Sequence, residues 1–223
     1  APYDPEHVND YELGWKGTML DGHLQTALGG YWMNYQAMQQ VVYNPTIGEA
    51  GEIVNLGSST LRGIEASVNA RVGGLGVNFN GSYEKSSLSN ITTVAAYALP
   101  PGTTNQPQCA VGQSAGCFDY TPYEVNIAGE SDIFAPELQG TLALDYRIPV
   151  GNGTLDPKVQ YSYTAKQYAS LFQIPYYEMG ARHIYSAYLT YDVGHWDTEA
   201  YITNFTNEIY LSGNNGGTVF YGA

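Results

Sequence analysis

Between Leu61 and Val72 the chain alternates with a period of two. Ile64, Ala66, Val68, Ala70 and Val72 fall on one face, and Gly63, Glu65, Ser67, Asn69 and Arg71 fall on the other. Successive side chains of a strand point to opposite sides, whereas a helix repeats every 3.6 residues, so this spacing predicts a strand and fits no helix. After Gly73-Gly74 the pattern resumes, with Val77, Phe79, Gly81 and Tyr83 against Gly76, Asn78, Asn80, Ser82 and Glu84. Two such runs across a Gly-Gly turn predict a hairpin.

The same alternation recurs three more times. Leu138, Leu142, Leu144, Tyr146 and Ile148 pair with a run after Gly151-Asn152-Gly153 that carries Leu155, Val159, Tyr161 and Tyr163. Tyr185, Ala187, Leu189, Tyr191 and Val193 turn at Gly194-His195 into Trp196, Ala200 and Ile202. A less regular hairpin at the start places Tyr11, Leu13 and Trp15 before an Asp21-Gly22 turn. Hairpins are therefore expected near 9–40, 59–86, 136–167 and 183–211. Long connections are expected over 41–58, 87–134, 168–182 and 211–217. These are about eight strands of roughly 10–14 residues, longer than the ~5–6 usual in soluble sheets and sufficient for the ~9–11 of a membrane-crossing strand. Tight turns at one end and long loops at the other match an outer-membrane barrel, and aromatic residues cluster near both predicted strand ends. The predicted fold is all-β, an antiparallel transmembrane β-barrel segment of about eight strands.

Composition narrows the function. The 223 residues carry 8 Lys+Arg against 21 Asp+Glu, a net charge of −13, which argues against a nucleic-acid partner. No stretch approaches the ~18 continuous apolar residues of a membrane helix. A membrane strand, in contrast, is only half apolar and passes for soluble on average. Ala1-Pro2-Tyr3-Asp4 lacks the basic and apolar regions of a signal peptide.

Several segments are similar to motifs of one family. Asn9-Asp10-Tyr11-Glu12-Leu13-Gly14-Trp15-Lys16-Gly17-Thr18 resembles the "yElGwKgt" strand of TonB-dependent outer-membrane receptors, and the Asp21-Gly22 turn follows it as in that family. Leu61-Arg62-Gly63-Ile64-Glu65 resembles the family's "rGvE" segment. Ala135-Pro136-Glu137 resembles "aPe", and Ile202-Thr203-Asn204-Phe205-Thr206-Asn207 resembles "vxNLtd". The motifs come in family order along nearly the whole chain. The resemblance implies the C-terminal part of a 22-stranded barrel, with the plug domain, the energy-coupling segment and the last strand outside this sequence. It also implies an outer-membrane location in a Gram-negative bacterium and contact with outer-membrane lipid. The implied function is uptake of a scarce nutrient, most often an iron–siderophore complex. The implied protein partners are a plug of the same chain and TonB, which acts through the N-terminal region. No cofactor is implied.

Candidate chemistry is sparse. Cys109 and Cys117, the only cysteines, lie in the longest connection, where a disulfide suits an oxidising compartment; two free thiols or a metal pair are the alternatives. Tyr97, Phe118, Tyr120 and Tyr123 share that loop and are candidates to stack on a flat ligand, or else pack the loop on itself. Asp119, Glu124, Glu130 and Asp132 lack the spacing of a calcium loop. His7, His23, His183 and His195 are scattered, without the spacing of a helical metal pair. Glu12, Lys16, Glu65, Arg71, Asp145 and Arg147 fall opposite the apolar face; they line a lumen against a plug, or pair across strands for stability. There is no nucleophile elbow and no active site is expected. A self-contained eight-stranded barrel with a structural or adhesion role is the alternative function, and a soluble β-enzyme is a third reading.

Overall fold

The computed structural model describes residues 3–46, 49–215 and 218–222. Its long strands are β1 (His7–Met19), β2 (Leu24–Asn44), β3 (Glu49–Val72) and β4 (Leu75–Leu88). Two short strands follow, β5 (Thr92–Val94) and β6 (Glu124–Asn126). Then come β7 (Leu138–Tyr146), β8 (Ile148–Val150), β9 (Gly153–Thr164), β10 (Gln167–Tyr168) and β11 (Glu178–Met179). The chain continues through β12 (Arg182–Val193), β13 (Trp196–Ile202), β14 (Tyr210–Asn215) and β15 (Thr218–Gly222). No helix among the described residues is long and apolar enough to cross a membrane.

One sheet runs in the order β1-β2-β3-β4-β7-β9-β12-β13, with β8 added on β9. Each long strand therefore lies beside its successor, as the chain of hairpins predicts. The pairs β4–β7, β7–β9, β9–β12 and β12–β13 are antiparallel, and their register keeps the two faces chemically distinct. Val77, Leu144, Val159, Ala187 and Ile202 form one transverse row, and Phe79, Leu142, Tyr161 and Tyr185 form the next. Large apolar side chains are exposed along this face: Leu13 is 83 % exposed, Val72 73 % and Val159 53 %. Ala143, Asp145 and Ser186 on the opposite face are buried. A water-soluble sheet reverses that arrangement, whereas a membrane barrel turns its apolar face to lipid.

The chain divides into two compact units. One comprises Tyr11–Trp32, Arg62–Lys85 and Ile133–Ala223; it contains the short turns and has Leu171 and Met179 among its buried apolar residues. Its two-residue turns, Gly73-Gly74, Gly151-Asn152 and Gly194-His195, each open with a glycine in a left-handed φ, 59°, 60° and 64°, that a side chain disfavours. The other unit comprises Ala1–Asp10, Met33–Leu61 and Ser86–Asp132; Met38, Leu88, Ile91, Ala95, Tyr120 and Ile127 are buried in it.

Three expected boundaries differ. Residues 41–44 and 49–58, expected as loop, are strand, because β2 runs on to Asn44 and β3 begins at Glu49; 47–48 lie outside the described residues. Val41, Val42, Ile53 and Val54 favour a pleated backbone, and nothing limits a strand to the thickness of a bilayer. The last hairpin stops at Ile202 instead of 211. There Asn204 and Asn207 take left-handed φ of 48° and 55°, and the Asn204 side chain both accepts from Glu208 N and donates to Glu208 O. Residues 211–215, expected as loop, form β14 and pair with β15; 216–217 lie outside the described residues.

Candidate functional site

Two regions gather the polar side chains. The first is the inner face of the sheet near the short turns. Counting back from the two-residue turn places Arg71 on β3 opposite Gly76 on β4, and the register continues through Asp145, Lys158, Tyr188 and Tyr201. Arg71 and Asp145 thus stand on strands separated by β4, a distance of about 10 Å between backbones. They meet because the intervening residue has no side chain. Arg71 Nη2 donates to Asp145 Oδ2 at 2.6 Å, Arg71 Nη1 to Gly74 O at 3.2 Å, and Asn78 Nδ2 to Asp145 Oδ1 at 3.3 Å. A Cβ on Gly76 would fall on the Asp145 carboxylate and 2.6 Å from Arg71 Nη2. Next along the row, the Lys158 ammonium lies 4.1 Å from the Tyr188 ring centroid.

The same device occurs again. The Tyr31 hydroxyl on β2 donates to Glu84 Oε2 on β4 at 2.6 Å, passing over Gly63 of β3. A Cβ there would stand 2.6 Å from the Tyr31 hydroxyl and from Tyr83 O. Glu65, two residues along β3, is on the same face and exposed. Glu12 and Lys16 are exposed on β1, on the side away from Tyr11, Leu13 and Trp15. Arg147 lies between β7 and β8, its Nε 3.5 Å from Asp156 Oδ2. Of the six charged candidates the structure joins Arg71 and Asp145 directly. Gly63, Gly76 and Tyr31 escape a reading by charge; their signal is a glycine on the polar face between two strands that carry complementary groups.

The second region is the long loop. Cys109 and Cys117 are joined by a disulfide, with Cα atoms 4.9 Å apart. Cys109 N donates to Phe118 O and Phe118 N to Pro107 O beside it. The Phe118 ring packs edge-on against Tyr120, centroids 4.9 Å apart, and 5.7 Å from Tyr123. Tyr120 is not available to a ligand. It is 2 % exposed, and its hydroxyl reaches Thr103 O at 2.7 Å, Gln106 O at 3.1 Å and Pro45 O at 3.2 Å. The single hydroxyl proton goes to Thr103 O, the nearest acceptor, with the carbonyls of Gln106 and Pro45 gathered around the same oxygen, which makes Tyr120 the anchor of the loop. Tyr97 is 46 % exposed, and Phe118 and Tyr123 are half-buried. The four loop carboxylates are not brought together: among the described residues no group of three His, Cys, Asp or Glu is placed to hold a metal. Asp132 is instead bound by Ser59 Oγ at 2.6 Å, and its backbone N donates to Ser86 Oγ.

Hydrogen bonds from Thr121 and from Gln108 hold the exposed Asp119 carboxyl below the usual carboxylate range. A lowered value in the folded loop means the stabilisation is complete above the unfolded value of about 3.9 and is lost as pH falls through the folded one. Amide exchange at Thr121, corrected for its intrinsic rate, should stay constant from about pH 8 to pH 5 and accelerate only below about pH 4. The Asp119→Asn variant should lose that acid phase.

A family model described as "TonB dependent receptor-like, beta-barrel" matches residues 1–215. Among solved structures, the ferric yersiniabactin uptake receptor FyuA from Yersinia pestis superposes with a TM-score of 0.69 at 14 % identity, covering 98 % of this chain and 28 % of its own. The siderophore receptor PiuA from Acinetobacter baumannii gives 0.64 at 21 % identity, over 94 % of this chain and 26 % of that one. BauA, the ferric preacinetobactin receptor of the same organism, gives 0.65 at 17 % identity, over 97 % and 28 %. At such identities the likeness is one of fold, and the chain spans little more than a quarter of each structure. A search of curated proteins found no match. The ladder of antiparallel hairpins, the apolar residues exposed along one of its faces and the match over residues 1–215 agree: this chain belongs to the TonB-dependent receptor family and is built from its β-barrel.

Proposed function

We propose that the chain forms part of the wall of an outer-membrane receptor that takes up a scarce nutrient of the iron–siderophore class. The observation that carries this is the sheet itself, with large apolar side chains exposed on one face and polar residues on the other. The neighbours named as siderophore and ferric-complex receptors support the substrate class. In this reading the inner-face charges Glu12, Lys16, Glu65, Arg71, Asp145 and Arg147 face a plug, through which TonB acts. Tyr97, Phe118 and Tyr123 present aromatic surface to the ligand. Between Ser86 and Phe134 there is no Lys or Arg, while Asp119, Glu124, Glu130 and Asp132 are present. A loop of that charge favours a neutral or cationic chelate over an anionic one.

The test is binding of a panel of ferric siderophores of different net charge to the full-length receptor in detergent, read by tryptophan quenching, with iron uptake by cells carrying or lacking the gene. Saturable binding of a neutral or cationic member is expected, weakened about tenfold by Tyr97→Ala together with Tyr123→Ala, a loss of ~1.4 kcal/mol. No binding to any member and unchanged uptake would refute the proposal.

A further inference from the structure

The disulfide between Cys109 and Cys117 closes a small ring in the long loop. Both cysteines are half-buried, whereas residues 110–116 between them are all exposed. The hydrogen bonds described for those residues stay within the ring: Gln113 N donates to Ala110 O, Ala110 N to Gln113 Oε1, and Gln113 Nε2 to Ala115 O. Below the ring the two sides of the loop are laced together. Cys109 N donates to Phe118 O at 3.2 Å and Phe118 N to Pro107 O at 3.0 Å. The Gln108 side chain accepts from Tyr120 N at 2.9 Å and donates to Asp119 Oδ1 at 3.1 Å. The lacing ends at Tyr120, where the loop meets the β2–β3 hairpin. Asn105 N donates to Pro45 O at 2.9 Å, and the Tyr120 hydroxyl lies 3.2 Å from the same carbonyl.

The hairpin depends on that contact. Ser89 N donates to Ser58 O just past the end of β4, and Gln39 N donates to Glu6 just before the start of β1. Outward of Gln39 and Ser58, therefore, β2 and β3 have no third strand beside them among the described residues. A hairpin of two strands alone is marginally stable in water. Its order rests on the hold at Pro45, that hold on Tyr120 and its neighbours, and their position on the disulfide.

We propose that Cys109–Cys117 is a thiol-responsive fastening, whose reduction releases the loop and the outer part of the β2–β3 hairpin together. The reductant that fits is a small aminothiol. Between Ser86 and Phe134 there is no Lys or Arg, and Asp119 follows Cys117 closely, so an anionic reagent is repelled. An aminothiol attacks with its ammonium offsetting its thiolate. The first thiolate bonds to one sulfur and expels the other cysteine as a thiolate, which takes up a proton. A second aminothiol then displaces the first, leaving two cysteine thiols and the aminothiol's own disulfide.

The test uses the oxidised full-length receptor in detergent, treated with cysteamine or 2-mercaptoethanesulfonate at equal thiolate concentration. Free thiols are counted by alkylation and mass, and amide exchange is followed by mass spectrometry. Cysteamine should open the disulfide at least about fivefold faster than the sulfonate. After reduction and alkylation, amides of residues 41–44 and 52–54 should exchange at least about tenfold faster, while those of β9 stay unchanged. The Cys109→Ser/Cys117→Ser variant should show the same fast exchange without any reagent. A disulfide that survives cysteamine in the folded receptor, equal rates with the two thiols, or hairpin exchange unaltered by reduction would overturn the proposal.

Discussion

Placing valine at Gly76 is expected to destabilise the barrel by about 3 kcal/mol, as much as deleting an ionic partner in a protein interior. The added side chain removes nothing from the structure; it occupies the space through which Arg71 reaches Asp145. Asp145 is 7 % exposed, so a displaced guanidinium leaves a carboxylate with little water and only Asn78 to bind it. Arg71 is partly exposed and regains solvent, which keeps the loss at the lower end of the range for broken buried pairs. The urea midpoint of the detergent-folded receptor, scored by gel mobility, measures the effect. A double-mutant cycle identifies its cause. In an Arg71→Met/Asp145→Leu background the same Gly76→Val change should cost under about 1 kcal/mol, because there is no longer an ion pair to part. Equal costs in both backgrounds would mean that β4 backbone conformation, not the ion pair, is what the glycine protects.

Tyr120→Ala should open the long loop, at a local cost of about 3–5 kcal/mol for a large aromatic lost from a packed site. The ring leaves a cavity against Phe118, and Thr103 O loses its donor. Tyr120→Phe keeps the ring and should cost only about 1 kcal/mol, the net value of one hydrogen bond. The loop contains no Lys or Arg but several aromatic residues, so limited chymotrypsin digestion reports its opening directly. Rapid cleavage near Tyr97 and Tyr123 in the alanine variant, with the sheet still assembled, is the expected result. Cleavage no faster than in the wild type would show that the disulfide alone holds the loop.

The faces of the sheet were legible because alternation is a local property: the position of Ile64 decides that of Glu65. Strand ends were less so. Residues 41–58 read as loop only if strands stop where a membrane does, and β2 and β3 do not. The ion pair between Arg71 and Asp145 depends on a register spanning three strands. It therefore needed the one-residue fact of Gly76 as well as both charges. Whether Tyr120 faces a ligand or packs the loop stayed open in the sequence because exposure is not a local property; the carbonyls around its hydroxyl lie up to 75 positions away.

Gly63 and Gly76 also change what counts as a neighbour in this sheet. Strand β4 is bonded to β3 and β7, yet at Gly76 it is electrically silent, and charge on β3 is balanced on β7. At Gly63 the silent strand is β3, and β2 is answered by β4. The backbone network and the electrostatic network thus connect different strands, offset by one. A substitution on β2 or β3 would be compensated most readily by a change two strands away, skipping the strand to which it is hydrogen-bonded.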